Sequence, residues 1–145
     1  MHISDVLRVK GREVVTVPPD TIVRDLLDLL AEFGIGAAVV SADGERVDGI
    51  VSERDVVRAL AARGSVILTE EVAGLMTRDV VVVKLEDNVD QLFALMTEQR
   101  VRHIPVLVDG KLAGLVSIGD LVKARMSDLE SERDSLAQYI HAATS

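Results

Sequence analysis

Short β-branched runs alternate with stretches in which apolar residues return every three or four positions, and the alternation happens twice along the chain. Val14 to Val17 is an apolar run closed by Pro18 and predicts a strand. After it Val23, Leu26, Leu27 and Leu30 fall at helical spacing, with Thr21 placed to cap that helix. Ala37 to Val40 predicts a second strand and Asp43-Gly44 a reversal, because glycine accepts positive φ. A third strand ends at Ser52, where another helix begins. The order recurs from Val80 to Val83. Val89, Leu92, Phe93 and Met96 lie at helical spacing behind Asp87, a second cap candidate. Ile104 to Val108, Asp109-Gly110 and a strand ending at Ser117 complete the copy.

The residues themselves match. Arg12-Glu13-Val14-Val15-Thr16-Val17 aligns with Arg78-Asp79-Val80-Val81-Val82-Val83, and Leu26, Leu29 and Val40 align with Leu92, Leu95 and Val106. The lead-in Ile3 to Leu7 resembles Val72 to Met76, and the copies join around Ser65 to Glu71. Each copy reads strand–helix–strand–strand–helix, an α/β (α+β) unit too small to cover its own sheet. Two such units packed with pseudo-twofold symmetry bury both faces and leave a cleft with two related sites.

Two matching motifs flank that cleft, Gly49-Ile50-Val51-Ser52-Glu53-Arg54-Asp55 and Gly114-Leu115-Val116-Ser117-Ile118-Gly119-Asp120. Ser-x-x-Asp at a helix start is a variant of the capping box, in which serine and acid satisfy one another's backbone. The same pair suits a ligand: a carboxylate accepts two hydrogen bonds from a vicinal diol, and a helix N-terminus favours phosphate. Capping and binding can coexist.

With Arg102-His103-Ile104-Pro105-Val106 before the second strand pair, the chain resembles the CBS-domain pair, or Bateman module, over about residues 3–128. The resemblance implies a first CBS domain over 7–67, a second over 76–131, and a helical tail over 132–145. It also implies an adenosine ligand between the repeats: AMP, ADP, ATP, NAD or S-adenosylmethionine. Asp55 and Asp120 would hold ribose hydroxyls, with Ser52 and Ser117 near ribose or phosphate. Backbone at Val15, Thr16 and Val17, and at Val81, Val82 and Val83, would meet adenine. Ile35, Gly36, Ala37 and Ala38, and Arg102, His103, Ile104 and Pro105, would form the other walls. A homodimer and a separate effector protein are implied as partners, and no cofactor is required. The competing expectation is a structural or interaction protein whose cleft is empty.

The copies differ in charge. Arg100, Arg102 and His103 stand where the first copy has Gly34, Gly36 and Ala37. The expectation is that the site built on the second copy, with Asp120, binds phosphate better; the alternative is a solvated helix end. Arg54, Arg58, Lys123 and Arg125 either reach phosphates or pair with surface acids.

Composition narrows the classes. Phe33, Phe93 and Tyr139 are the only aromatics and the net charge is −8, which disfavours stacking on or neutralising nucleic acid. With no cysteine, thiolate catalysis and zinc–thiolate sites are excluded. His2, His103 and His141 are scattered, no serine has a recognisable His–Asp set, and an enzyme is not expected. No apolar stretch approaches a membrane span and no signal peptide is read, so a cytoplasmic location is expected. Val122, Leu129 and Leu136 stand at heptad spacing with Met126 and Ile140 beside them and Arg133 interrupting. This helix is expected to run to about His141, with Ala142 to Ser145 frayed.

Overall fold

A computed structural model describes residues 1–144. Helix α1 (Ile3–Lys10) leads into β1 (Thr16–Val17), α2 (Val23–Phe33), β2 (Ala37–Val40), β3 (Gly49–Ser52) and α3 (Glu53–Arg63). Two 3-10 turns, Ser65–Thr69 and Val72–Gly74, connect to α4 (Val89–Gln99), β4 (His103–Val108), β5 (Lys111–Ser117) and α5 (Ile118–Thr144). In the first repeat β1 pairs parallel with β2 and β2 antiparallel with β3; in the second β4 and β5 pair antiparallel. The valine run 80–83, read as a strand, contributes only a bridge from Val83 to Val106. Upstream of it Thr77 is already hydrogen-bonded to Ile50, and that diverts the segment into the cleft.

Helix starts and turns follow local chemistry, with corrections. Thr21 does not cap α2: Ile22 holds the cap position without a side-chain hydrogen bond. In the second repeat Asn88 rather than Asp87 caps α4, accepting from the Asp90 N–H at 2.8 Å, and Asp87 accepts from the Lys84 N–H. Asp109 and Gly110 both take positive φ, 53° and 77°, and close a two-residue hairpin between Val108 and Lys111. Asp43-Gly44 is not such a turn. Val40 pairs with Gly49, so the reversal is a longer loop, in which Asp43 accepts from the Glu45 and Arg46 N–H groups.

The two cores are not made by the two repeats separately. Ile3, Val6 and Leu7 of α1 pack with Val89, Leu92, Ile104, Val116 and Leu121 of the second repeat. Ile67 and Val72, leading into the second repeat, pack with Val23, Leu26, Val40 and Val51 of the first. Backbone bridges repeat the exchange: His2 joins Asn88, and Glu71 joins Ile22. The motif glycines make it possible. A Cβ on Gly49 would stand 2.6 Å from Met76 Sδ and 2.9 Å from the Thr77 carbonyl oxygen; one on Gly114 would stand 2.8 Å from Leu7 Cδ1. Glycine is needed here for close approach, since each lead-in lies directly on the strand of the opposite repeat.

Helix α5 has 27 residues and spans about 40 Å. It continues past His141 to Thr144, and Ser145, expected to fray, lies outside the described residues. Leu121 is buried, whereas Val122, Met126, Leu129 and Leu136 are exposed along one stripe.

Candidate functional site

A hollow of about 540 Å³ opens between the repeats. That lies within the ~300–1,000 Å³ range of small-molecule sites. The first repeat contributes the start of β2 (Gly36 and Ala37), Ile50 and Ser52 of β3, and Glu53, Arg54, Asp55 and Arg58 of α3. The second contributes Thr77 and Asp79 to Val81 on one wall, and Gln99 to His103 on the other. In each repeat the turn before the strand pair is tied to the helix start. The Glu53 N–H donates to the Gly36 carbonyl, and the Ile118 N–H to the Arg102 carbonyl, both at 2.9 Å.

At the floor, the Ser52 N–H and hydroxyl donate to Asp55 Oδ2 at 2.8 and 3.0 Å, while the Asp55 N–H donates to Ser52 Oγ at 3.3 Å. The capping box therefore forms. It takes one carboxylate oxygen and leaves Asp55 Oδ1 without a hydrogen bond among the described residues. Arg54, Arg58, Arg100 and Arg102 line the same space, and none is held by an ion pair among the described residues. Four arginines against the carboxylates of Glu53, Asp55 and Asp79 make the lining cationic in an acidic chain. Arg100 holds the left-handed cap position of α4 at φ 55°, where α2 ends in Gly34 at φ 62°. A non-glycine residue there carries backbone strain, and it places a cation at the mouth. His103 sits where a Cβ on Gly36 would meet its Cε1 at 3.5 Å and Glu53 Oε1 at 3.3 Å. Burial pushes the His103 pKa down, Lys10 and Arg102 push it further, and Asp120 and Glu53 oppose them.

Arg100 and Arg102 thus share this hollow with Asp55, while His103 stands between the two motifs, near enough to Lys10, Asp120 and Glu53 for each to act on its pKa. Arg100 and Arg102, expected beside Asp120, line the hollow that holds Asp55 and not the one that holds Asp120. Of the residues proposed from the sequence, Gly36, Ala37, Ser52, Arg54, Asp55, Val81, Arg102 and His103 come together in this hollow. Val15, Thr16 and Ile35 lie outside its lining, and Val17, Ala38, Val83, Ile104 and Pro105 are buried in the strands. Val82 is exposed. Thr77, Asp79, Val80 and Gln99 line it although no motif marks them; their signal was the repeat itself, shifted by two or three positions.

Asp120 is placed differently. Its Oδ2 accepts the Ser117 N–H at 2.8 Å, and its own N–H donates to Ser117 Oγ at 3.1 Å, the same box as around Asp55. But the Lys10 ammonium also donates to Asp120 Oδ2 and to the Leu115 carbonyl. Burial alone would raise the Asp120 pKa; the hydrogen bonds from Lys10 and Ser117 outweigh it and hold the carboxyl below the ordinary range. Asp120 faces a second hollow, between α1 and α5, with Lys10 and Lys123 in its wall.

The CBS domain pattern matches residues 3–62 and 71–127. The chain belongs to the CBS domain family. A CBS-domain containing protein from Agrobacterium tumefaciens has a similar structure, at 46% identity and TM-score 0.83, covering 86% of this chain and 99% of that one. A CBS domain protein from Pyrobaculum aerophilum, complexed with AMP, is 29% identical with TM-score 0.72, covering 83% of this chain and 89% of that one. The mitochondrial CBS domain-containing protein CBSX3 of Arabidopsis thaliana is 34% identical over 95% of this chain and 71% of its own length. The fold is that of the tandem CBS pair, as its structural relatives show. Among the described residues no helix is long and apolar enough to cross a membrane, and no group of His, Asp and Glu is arranged to hold a metal ion.

Proposed function

We propose that this CBS pair is a regulatory module that binds an adenine nucleotide in the Asp55 hollow and passes the bound state to a separate effector protein. The observation that carries this reading is Asp55, which lines a cleft shared with arginines of both repeats and has one carboxylate oxygen committed to its helix cap and the other without a hydrogen bond among the described residues. The open oxygen suits a ribose hydroxyl, and Ala37, Ile50, Val80 and Val81 offer apolar surface for a purine. Arg54, Arg58, Arg100 and Arg102 suit phosphate, bidentately where geometry allows. The AMP complex of the Pyrobaculum relative supports the ligand class. Among AMP, ADP, ATP and NAD, the cationic lining favours ligands with more than one phosphate. Binding, not chemistry on the ligand, is the proposed activity, in the cytoplasm.

Because its walls come from both repeats, the hollow couples occupancy to their relative setting, and a partner reads the difference. The unpartnered stripe of α5 supports a homodimer. Val122, Met126, Leu129 and Leu136 alternate at coiled-coil spacing. The same stripe also favours the second reading, an interaction protein with an empty cleft.

Thermal shift with AMP, ADP, ATP, NAD and S-adenosylmethionine separates the two. A ligand at a hundred times its Kd stabilises the folded state by about 2.7 kcal/mol. A raised Tm that Asp55→Ala abolishes supports the sensor; no shift with any of them at millimolar concentration leaves the interaction protein.

A further inference from the structure

The two motif carboxylates have opposite surroundings, and one residue makes the difference. In the first repeat the Ile50 carbonyl accepts the Thr77 N–H at 2.9 Å and the Ile50 N–H donates to the Thr77 carbonyl at 3.0 Å. Leu115 is the matching residue in the second repeat, and its carbonyl accepts the Lys10 ammonium instead. Leu7 and Met76 occupy equivalent places against Gly114 and Gly49. After Met76 the chain passes directly to Thr77, whereas after Leu7 the helix continues through Arg8, Val9 and Lys10. That additional turn carries the Lys10 ammonium onto Leu115, and from there onto the Asp120 carboxylate.

We infer that Lys10 is a built-in occupant of the second motif site: it neutralises Asp120 and fills the space a ribose diol would need, so the chain takes one nucleotide, at Asp55. The inference rests on the nucleotide reading of the Asp55 hollow. The Lys10 and Asp120 side chains are 31% and 23% exposed, so the pair is partly screened from solvent. A ligand entering at Asp120 would have to displace a hydrogen-bonded ammonium. At Asp55 no cation among the described residues pairs with the carboxylate.

The test is calorimetric titration of the full chain with ATP and with AMP. The wild type should bind one equivalent per chain. Lys10→Ala should bind two, the first with unchanged affinity, and adding Asp120→Ala should return the stoichiometry to one. Lys10→Gln, which keeps the stem and removes the charge, serves if the alanine variant folds poorly. Carboxyl-carbon NMR gives a readout without ligand: the Asp120 pKa should rise when Lys10 is replaced. Two equivalents in the wild type, a single equivalent in both Lys10 variants, or an unmoved Asp120 pKa each overturn the inference. Absence of binding in every variant, with the Asp120 pKa still responding to Lys10, removes the nucleotide reading and the occupant's role with it.

Discussion

The Asp55 and Asp120 corners begin from one motif and end in different states. Both build the same serine–aspartate box at a helix start. At Asp55 the surrounding cations are two arginines from each repeat, and among the described residues neither they nor one carboxylate oxygen has a partner. At Asp120 the cation arrives from a helix that runs one turn longer, and it is already paired. Duplication preserved the cap and altered what stands opposite it. A local motif therefore reports where a site can exist, while the neighbouring segment decides whether it is open.

The largest expected effect concerns the glycines that admit those segments. Gly49→Ala should destabilise the protein by about 2–3 kcal/mol, because its Cβ would meet the Thr77 backbone oxygen as well as Met76. Gly114→Ala should cost less, since only the Leu7 side chain must shift. Urea denaturation of both variants checks this, and equal losses would break the contrast. Next, Asp55→Ala should weaken ATP binding between ten- and a hundred-fold, the worth of one or two hydrogen bonds to a charged group. Asp120→Ala should leave it within two-fold by calorimetry.

Smaller effects sharpen the same contrast. Arg100→Gly relieves a left-handed residue and should raise stability by up to about 1 kcal/mol. It also removes a cation from the hollow and should weaken ATP binding several-fold. A variant that is neither more stable nor a weaker binder would contradict the placement. The pH profile is the finest probe. Asp120 has a folded-state pKa below its unfolded value of about 3.9. Its contribution to stability is therefore present above pH 4 and lost as pH falls through the folded value. Lys10→Ala should flatten that acid limb. His103 is also lowered, so its contribution is present above about pH 6.5 and declines as pH falls below that. His103→Gln should flatten the decline of stability below pH 6.5 in thermal melts.

Much of this was legible in the residues. Asp43 and Asp109 match by position, and so do the serine–aspartate boxes; periodicity located α2, α4 and α5, whereas α1 is legible only as a lead-in and not as a helix. Three things were not legible. The Asp43-Gly44 pair matches a hairpin signal, yet Ser41 and Asp48 hold the loop open by accepting its N–H groups. Valines 80–83 have strand composition, but Thr77 is tied to Ile50 and draws the segment away from β4. Above all, self-alignment shows which residues are equivalent and says nothing of which are adjacent. That is why the alignment groups Arg100 and Arg102 with Asp120, although they line the hollow that holds Asp55. Adjacency is set by the crossing of the two halves, which no stretch of either half encodes alone.

The crossed lead-ins bear on how the molecule can come apart. Neither repeat owns a complete interior: α1 is laid into the far half, and the Ile67–Val72 connection into the near one. Cutting the chain between α3 and the first 3-10 turn would strip both pieces of wedges they cannot replace, so the halves should melt together in a single transition. Two halves alike in sequence are thus indivisible in structure, each completing the interior of the other.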